Sequence, residues 1–238
     1  ENNEVFGSSK IYAILKDRGY AISESTVAKI THQNGLFSIR ACAKTLYKQQ
    51  LERKNNLLQQ QFHVSRPNEV WVSDVTCFSV FNRMYYICVI IDLYARKVIA
   101  YKISKHNSTQ LTKATVKSAY ETRMPIGELL FHSDQGCNYT SNQFRKYLKS
   151  INIKQSFSNP GMPYDNSVME SFFGSFKREA LYRYRFKTEK DFFQSVDTYM
   201  TFYNEKRPHS VLMNQTPCKF EAHYYNIYKR NPDFQTEQ

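Results

Sequence analysis

Hydrophobic positions between residues 9 and 36 recur at helical spacing, in two short runs. Gly19 interrupts the pattern, Ser23 can cap the second run, and Asn34 can end it. The apolar side chains that share one face of each run are Ile11, Ile14, Leu15, Val27 and Ile30. The pattern therefore predicts two short helices joined by a glycine-containing turn.

Two helices joined in this way form the outline of a helix-turn-helix, whose second helix enters a groove of DNA. The side chains that this second helix would present to the groove are Glu24, Ser25, Thr26 and Lys29. A helical hairpin that only packs is the alternative. We assign residues 1–40 to a helix-turn-helix domain and expect Ser25, Thr26 and Lys29 to contact DNA.

The chain turns polar and basic between residues 40 and 66. Six Lys and Arg residues stand against the single Glu52, which gives a local net charge of +5 (6 − 1). This composition is typical of a solvated helix that can lie along a phosphate backbone. We therefore predict a basic linker helix over residues 41–66, with Lys44 and Lys48 as DNA contacts.

After Pro67 the hydrophobic pattern changes from helical to extended. Three apolar runs follow one another closely, and strands then alternate with helices. The predicted strands cover residues 70–78, 85–91, 98–103, 129–133 and 153–156, and the predicted helices cover 108–122, 141–150, 166–184 and 188–204. This order, βββαβαβαα, predicts a three-layer α/β domain with a mixed five-stranded sheet over residues 67–217, followed by a tail over 218–238.

The net charge narrows the class of partner. The 238 residues include 33 Lys and Arg against 21 Asp and Glu, a formal net charge of +12 (33 − 21). This balance favours a polyanionic partner, with a basic solvated surface as the alternative. Hydrophobic residues form 41% of the chain, so it can bury a sizeable core and is not a disordered basic tail.

Several other classes of protein are excluded. The longest strongly apolar run, residues 84–91, is far shorter than the roughly 20 residues of a membrane-spanning helix. The five cysteines are scattered without a CxxC pair, so we expect reduced thiols in the cytoplasm. The sequence has no HxxxH pair and no glycine-rich nucleotide loop, which excludes zinc-protease and nucleotide-cradling motifs. Because the chain opens at Glu1 rather than Met, we expect an upstream segment.

Three acids stand where the predicted elements can bring side chains together. Asp74 lies inside an otherwise apolar strand, and Asp134 directly follows another strand. Open α/β sheets place their sites at the carboxyl ends of strands, so both carboxylates can meet at one edge. Glu170 lies near the start of a helix that Asp165 or Asn166 can cap, beside an apolar stripe.

Each acid has an ordinary structural explanation when it is taken alone. Asp74 could accept hydrogen bonds from backbone amides, and Asp134 could form a turn. Glu170 could be an acid in the first turn of a helix, where the helix dipole favours negative charge. Held together, three unneutralised carboxylates would repel one another unless a cation joins them. Oxygen ligands favour Mg2+, and two such ions roughly 4 Å apart can activate a water or 3′-hydroxyl and stabilise the leaving oxygen. The combination indicates phosphodiester chemistry.

Five short motifs occur in a fixed order along residues 67–217. They are Ser73-Asp74-Val75-Thr76, His132-Ser133-Asp134-Gln135-Gly136, Asp165-Asn166, Glu170-Ser171-Phe172-Phe173, and Phe202-Tyr203-Asn204 with Arg207-Pro208-His209. The set resembles the IS-three family of insertion-sequence transposases, whose catalytic domain is similar to the retroviral integrase core. Thirty-five residues separate Asp134 from Glu170 (170 − 134 − 1), and Lys177 follows seven positions later, as in the D,D,35,E signature of this group.

The resemblance implies a ribonuclease H-like fold with two Mg2+ or Mn2+ ions per active site. It implies cleavage of element ends to free 3′-hydroxyls, which are then joined to target DNA. It assigns catalysis and metal binding to Asp74, Asp134 and Glu170, with Asp74 bridging both ions, and DNA contact to Lys177. The implied partners are double-stranded DNA of the element's terminal inverted repeats and of the target, further copies of the chain in a dimer or larger assembly, and an upstream OrfA segment. The implied location is the bacterial cytoplasm, in association with the nucleoid.

Neighbouring residues have expected supporting roles. His132 could contact the scissile phosphate or orient the nearby acid, with a structural histidine as the alternative. Asn166, Tyr203 and Arg207 are expected to support the active-site helix. Basic and aromatic residues alternate over 171–187, a pattern that can bind phosphates and stack on bases of frayed ends, or pack on a partner subunit. The DNA contacts expected there are Lys177, Arg178, Arg183 and Arg185.

The sequence leaves two other functions open. The first is a catalytically silent DNA-binding protein derived from such an enzyme. The second is a ribonuclease H-like nuclease that cuts RNA–DNA hybrids. Substitution of the acids tests the first, and competition between hybrid and element-end duplex tests the second.

Overall fold

The computed structural model describes residues 6–36 and 55–230, and the chain divides into two units after Lys54. The first unit contains two helices, α1 (Ser8–Asp17) and α2 (Glu24–Gln33). Ser23 caps α2, because its side chain accepts a hydrogen bond from the Thr26 N–H (3.1 Å). Both helices predicted for this segment are present, and the second has its predicted cap.

The segment that leads into the second unit differs from the expected linker helix. Residues 41–54 lie outside the described residues, and residues 55–66 belong to the second unit and form no helix. The N–H groups of Leu57 and Leu58 donate to the Ser156 hydroxyl oxygen (2.9 and 3.2 Å). Bonds to a distant strand therefore replace the local bonds of a helix, and the helix prediction is wrong for residues 55–66.

The second unit is built on one five-stranded sheet of order β3-β2-β1-β4-β5. The strands are β1 (Val70–Val80), β2 (Arg83–Asp92), β3 (Lys97–Ser104), β4 (Leu129–Ser133) and β5 (Ile153–Phe157). The first three form an antiparallel meander, whereas β4 pairs in parallel with β1 and β5 pairs in parallel with β4. The predicted mixed sheet of five strands is confirmed.

Helices cover both faces of this sheet. They are α3 (Thr109–Arg123), α4 (Cys137–Thr140), α5 (Asn142–Ser150), α6 (Ser167–Phe176), α7 (Glu189–Glu205) and α8 (Pro217–Arg230). Along β1, Trp71 packs into the core beneath α3, α4 and α5, whereas Val70 and Val72 pack into the core beneath α6 and α7. The three-layer α/β arrangement is therefore confirmed. None of the helices within residues 6–36 and 55–230 is long and apolar enough to cross a membrane.

Three local features differ from the predicted elements. The short helix α4 has no counterpart among them. The single helix predicted for residues 166–184 is wrong, because α6 ends at Phe176 and a π-helical turn follows over Lys177–Leu181. In this turn the Tyr182 N–H donates to the Lys177 carbonyl oxygen (2.8 Å). The expected tail at 218–238 begins as helix α8.

Buried charge anchors α8 to the sheet. Glu221 is only 4% exposed, and its carboxylate pairs with Lys97 (2.6 Å) and with Arg123. Arg123 also reaches the fully buried Asp92 (3.2 Å). The tail prediction failed because the partners of Glu221 lie about a hundred residues earlier in the chain, at 124 and 98 positions of separation.

Substitution of Arg123 by Met should lower the free energy of unfolding by about 3–5 kcal/mol, because Asp92 and Glu221 would keep buried charges without their shared partner. Urea denaturation followed by circular dichroism measures this change. The matched control is Lys154→Met, which removes a pair with Glu128 in which both side chains are exposed, and which should cost less than about 1 kcal/mol. Equal effects of the two substitutions would contradict the anchoring role of Arg123.

Candidate active site

The register of the β1–β4 pair brings two acids side by side. Ser73 pairs with Ser133 in the parallel ladder, so Asp74 and Asp134 are the next residues along two adjacent segments of the chain. Paired strands lie roughly 5 Å apart. Because β4 ends at Ser133 while β1 continues to Val80, the two carboxylates stand where the five-stranded sheet narrows.

Asp74 lies on the face of the sheet that α6 covers. Val72 packs against the α6 layer, and side chains two positions apart on a strand share a face. Asp74 therefore projects to the same side. His132 pairs with Val72 in the ladder, so its side chain projects to this face as well. Asp134 follows two positions later, directly after the end of β4.

Asp74 is the electrostatic centre of the site. Its pKa is raised to about 7, first by burial and then by the charges of Asp134 and Glu170. A hydrogen bond from the Val75 N–H to Oδ1 (2.7 Å) and the positive charge of Lys177 act in the opposite direction. The three predicted acids therefore influence one another in space, although they are distant in sequence.

A tight turn fixes Asp134. Its Oδ1 accepts a hydrogen bond from the Gly136 N–H (3.0 Å). A Cβ at position 136 would lie 3.0 Å from the same oxygen, so this close approach favours glycine. The Gln135 side chain donates to the Ser158 carbonyl oxygen (3.0 Å), which connects the turn to the loop that follows β5.

Glu170 lies on the border of α6. The apolar stripe predicted for this helix is buried, and its members are Met169, Phe172, Phe173, Phe176 and Ala180. Glu170 itself is exposed, and its charge reaches Asp74. The packed stripe thus fixes the helix while the carboxylate stays accessible.

The flank of α6 beside Glu170 is open and basic. A Cβ on Gly174 would have only the Arg178 guanidinium within 4 Å, at 3.8 Å, so packing within the described part of the chain does not require glycine there. Lys177 lies close enough to Asp74 to lower its pKa, and Arg178 is exposed. Positive charge therefore stands next to the acids, where a phosphate would approach.

The donor set suits a hard divalent cation without forming one closed cage. Among the residues that the structure describes, no three Asp, Glu, His or Cys side chains are placed to hold a single ion together. All three acids are oxygen donors, as Mg2+ prefers. A cation between them would remove the mutual repulsion that contributes to the raised pKa of Asp74.

His132 has the structural role rather than the phosphate-binding one. It is fully buried, with Nδ1 2.8 Å from the Ser156 hydroxyl and Nε2 3.0 Å from the Asp165 carbonyl oxygen. Burial lowers the pKa of His132 to about 4, which keeps the ring neutral at physiological pH. Both ring nitrogens already have protein partners.

Tyr203 and Arg207 contact α6 and the turn that follows it, and their expected supporting role stays a prediction. The Tyr203 ring packs edge-on against Phe172 of α6, with 4.8 Å between centroids. Arg207 donates to both carboxylate oxygens of Glu179 (3.0 Å from Nε and 2.9 Å from Nη2) in the π-helical turn after α6. These contacts hold α6 at its middle and at the turn that follows it.

The start of α6 differs from the expected capping. Asn166 stands at the cap position, but its side chain makes no capping bond and its buried Oδ1 has no partner within the described residues. Asp165 does not cap the helix either. Its carboxylate accepts hydrogen bonds from Asn56 and Gln60, which lie 109 and 105 positions earlier. Sequence reasoning missed this role because no local pattern identifies such distant partners.

The expected DNA contacts stay predictions. The exposed ones are Ser25, Thr26 and Lys29 on α2, together with Arg178, Arg183 and Arg185 after α6. Lys177 is partly buried beside the acids, and Lys44 and Lys48 lie outside the described residues. Arg183 stacks over the ring of the exposed Tyr184 (5.9 Å to the centroid), so the predicted basic and aromatic pairing is present at the surface.

Comparison with known proteins gives family matches over the second unit. Two models described as "Integrase core domain" match residues 64–163 and 151–217. The chain is 31% identical to the transposase for insertion sequence element IS904 of Lactococcus lactis, covering 94% of this chain and 90% of the relative. It is also 31% identical to the putative transposase InsK for insertion sequence element IS150 of Escherichia coli, covering 94% and 80%.

Solved structures share the fold at lower identity. The HTLV-2 integrase catalytic core domain in complex with magnesium matches with a TM-score of 0.54 and 18% identity, covering 66% of this chain and 97% of that chain. The simian T-cell lymphotropic virus intasome, in complex with the PP2A regulatory subunit B56 gamma, matches with a TM-score of 0.57 and 20% identity, covering 90% and 74%. The second unit therefore has the integrase-type, ribonuclease H-like fold.

Substitution of Asp74 by Asn should stabilise the metal-free protein at about pH 8 by roughly 2–4 kcal/mol. The pKa of Asp74 in the folded state, about 7, lies above its ordinary value of 3.8. The stability that its proton supplies is thus fully present below the ordinary value and lost as pH rises through about 7. The gain should vanish near pH 4, about the ordinary pKa of the group, as measured by urea denaturation across pH.

The matched control for this titration is Glu128→Gln, which replaces an exposed carboxylate far from the three acids. It should give no comparable pH-dependent gain. A stability difference between Asp74→Asn and the unmodified protein that stays constant from acid to alkaline pH would contradict the electrostatic coupling.

Proposed function

The chain belongs to the insertion-sequence transposases that carry an integrase core domain, and we propose that Asp74, Asp134 and Glu170 are the carboxylates with which it cuts and joins DNA. The observation that supports this assignment is the β1–β4 register, which sets Asp74 beside Asp134 directly after the Ser73–Ser133 pair, with the charge of Glu170 close enough to raise the pKa of Asp74. A carboxyl group whose pKa is raised by burial and by two neighbouring acids is a candidate for a functional site.

The three acids have distinct roles in this proposal. Asp74 is common to two metal sites, Asp134 completes one of them, and Glu170 completes the other. Each ion would then be held by two protein carboxylates. Bound Mg2+ or Mn2+ supplies activation of the attacking hydroxyl and stabilisation of the leaving oxygen. The magnesium in the HTLV-2 integrase core, whose fold this unit shares, supports the choice of metal.

The protein's own residues orient the reacting groups. The turn at Gly136 holds the Asp134 carboxylate in one orientation, and the buried stripe of α6 holds Glu170 at the border of the site. Lys177 and Arg178 in the π-helical turn after α6 bind the phosphates of the element end, whose position must be fixed for an in-line displacement. The freed 3′-hydroxyl is then joined to target DNA in the same site.

We assign DNA binding to three parts of the chain. The exposed face of α2, with Ser25, Thr26 and Lys29, reads the terminal inverted repeats. Lys44 and Lys48 are assigned to contacts with the phosphate backbone. Arg183 and Arg185 hold the DNA next to the active site, where the neighbouring tyrosines Tyr182 and Tyr184 are exposed and can stack on frayed bases.

The expected assembly follows from the reaction. Joining requires that two element ends be held together, so we propose a dimer or larger assembly on DNA. The structural similarity to the simian T-cell lymphotropic virus intasome supports this proposal. An upstream OrfA-type segment, as a fusion or a partner, and a cytoplasmic, nucleoid-associated location complete the proposal.

Asp74→Asn and Glu170→Gln should each lower the rate of cutting and joining of element-end DNA with Mg2+ by at least about 10³-fold, because each removes an oxygen ligand without changing side-chain shape. Band-shift affinity for the same DNA should stay within about 3-fold of the unmodified protein. Glu128→Gln is the control for a carboxylate outside the site. Undiminished joining by either variant would leave a catalytic role for that acid without support, and selective cutting of an RNA–DNA hybrid would favour the nuclease.

The affinity for element-end DNA should fall by about 10³-fold or more between about 50 and 200 mM salt, because six or more phosphates would be neutralised by Lys and Arg. The double substitution Arg183→Gln with Arg185→Gln should lower the slope of log affinity against log salt by about 2. Lys154→Gln, at the opposite end of the sheet, should leave the slope unchanged. Fluorescence anisotropy measures all three proteins. A slope that is equal in the double variant would remove these arginines from the DNA track.

A further inference from the structure

The loop between β5 and α6 is attached to the turn that carries Asp134. The Ser158 N–H donates to the Ser133 carbonyl oxygen (2.9 Å), and the Gln135 side chain donates to the Ser158 carbonyl oxygen (3.0 Å). The far part of this loop is exposed, with Tyr164 72% accessible. The loop thus begins beside one acid and ends at the helix that carries another.

The buried side chain of Asp165 connects the two ends of this loop by hydrogen bonds. It is only 1% exposed, although the preceding Tyr164 faces solvent. Its carboxylate accepts three hydrogen bonds, from the Asn159 N–H (2.8 Å), the Asn56 side chain (2.8 Å) and the Gln60 side chain (2.7 Å). One buried charge therefore joins both ends of the loop to the segment that enters the second unit.

The backbone of Asp165 is fixed to β4 through His132. The Asp165 carbonyl can only accept, so the ring of His132 donates to it through Nε2 (3.0 Å). Its Nδ1 then accepts from the Ser156 hydroxyl (2.8 Å), whose oxygen receives the N–H groups of Leu57 and Leu58. Each polar atom of this chain of bonds has a partner of the right kind.

The network connects the two chain segments that carry catalytic acids. His132 stands two residues before Asp134, and Asp165 stands five residues before Glu170. We propose that Asp165 is a positioning residue, which sets the separation of Asp134 and Glu170 by holding the start of α6 to β4 and to residues 56–60. The inference rests on the proposed function of these acids.

The Asp165 carboxylate is buried and already accepts three hydrogen bonds, so we assign it no contact with the reacting atoms. Its effect passes through the backbone to Glu170 and through His132 to Asp134. Removal of a residue that holds metal ligands in position typically lowers metal affinity or activity by about 10- to 100-fold. A residue that only stabilises the fold would lower the melting temperature and leave metal affinity unchanged below that temperature.

The test uses Asp165→Asn in the full chain, with Mn2+ as the probe. We expect the Mn2+ affinity of the DNA-free protein, measured by electron paramagnetic resonance of free Mn2+, to fall by about 10-fold. The Mg2+ concentration for half-maximal joining of element ends should rise by a similar factor. Asn56 and Gln60 donate to different oxygens of Asp165, and Asn keeps only one oxygen there, so at least one bond of the network as it stands is lost.

Asp92→Asn is the matched control. Asp92 is also a fully buried acid that accepts backbone N–H groups, from Asn68 (2.7 Å) and Tyr94 (3.0 Å). It is the last residue of β2 and pairs with Trp71 near the start of β1, away from Asp74. It should lower the melting temperature without changing Mn2+ affinity. Equal loss of Mn2+ affinity in both variants, or unchanged affinity in Asp165→Asn, would overturn the proposal.

A reciprocal exchange covers the case in which Asp165→Asn folds poorly. In the double variant Gln60→Glu with Asp165→Asn, the new carboxylate at 60 accepts from the amide at 165, whose oxygen still accepts from the Asn56 side chain and the Asn159 N–H. Mn2+ affinity should return to within about 3-fold of the unmodified protein, and a folded double variant that binds no better than the single one would overturn the proposal. If the unmodified protein and Asp74→Asn bind Mn2+ equally, the proposed function fails instead.

Discussion

Repulsion between like charges at the end of the β1–β4 pair is the constraint on which the rest of this structure depends. The parallel register places Asp74 and Asp134 next to each other on strands that are buried on both faces, and α6 adds Glu170. Such a cluster opposes folding when no cation is present. The packed layers on either side must therefore supply the stability that the site itself lacks.

Those layers also determine where the acids stand. On one face, Trp71 and Phe131 pack beneath α3, α4 and α5, and on the other the aromatic stripe of α6 packs against α7. Tyr203 and Arg207 hold the far part of the α6 segment, whereas the bonds of Asp165 and His132 hold its beginning. The rigid core carries the carboxylates, and the basic flank of α6 stays exposed on the side from which a phosphate would arrive.

Several sequence expectations failed where distant partners compete with local preference. Residues 55–66 have the polar composition of a solvated helix, yet Leu57 and Leu58 bond to Ser156 on β5. The expected tail is a helix because Glu221 finds Lys97 and Arg123. Asp165, one of the two expected caps of α6, instead accepts hydrogen bonds from Asn56, Gln60 and Asn159. In each case the deciding interaction spans about a hundred positions of the chain, beyond the reach of any periodicity.

The sequence by itself determined the order of the five strands, the cap of α2 and the buried stripe of α6, and it singled out the three acids that we propose as catalytic, because periodicity, capping and motif spacing can be read directly along the chain. Only the tertiary structure decided that β1 and β4 pair with Ser73 opposite Ser133, that His132 is bonded on both nitrogens, and that Asp165 joins three segments. Strand register and the pairing of buried polar groups depend on which surfaces meet, and that is settled by packing and hydrogen bonding between segments far apart in the chain.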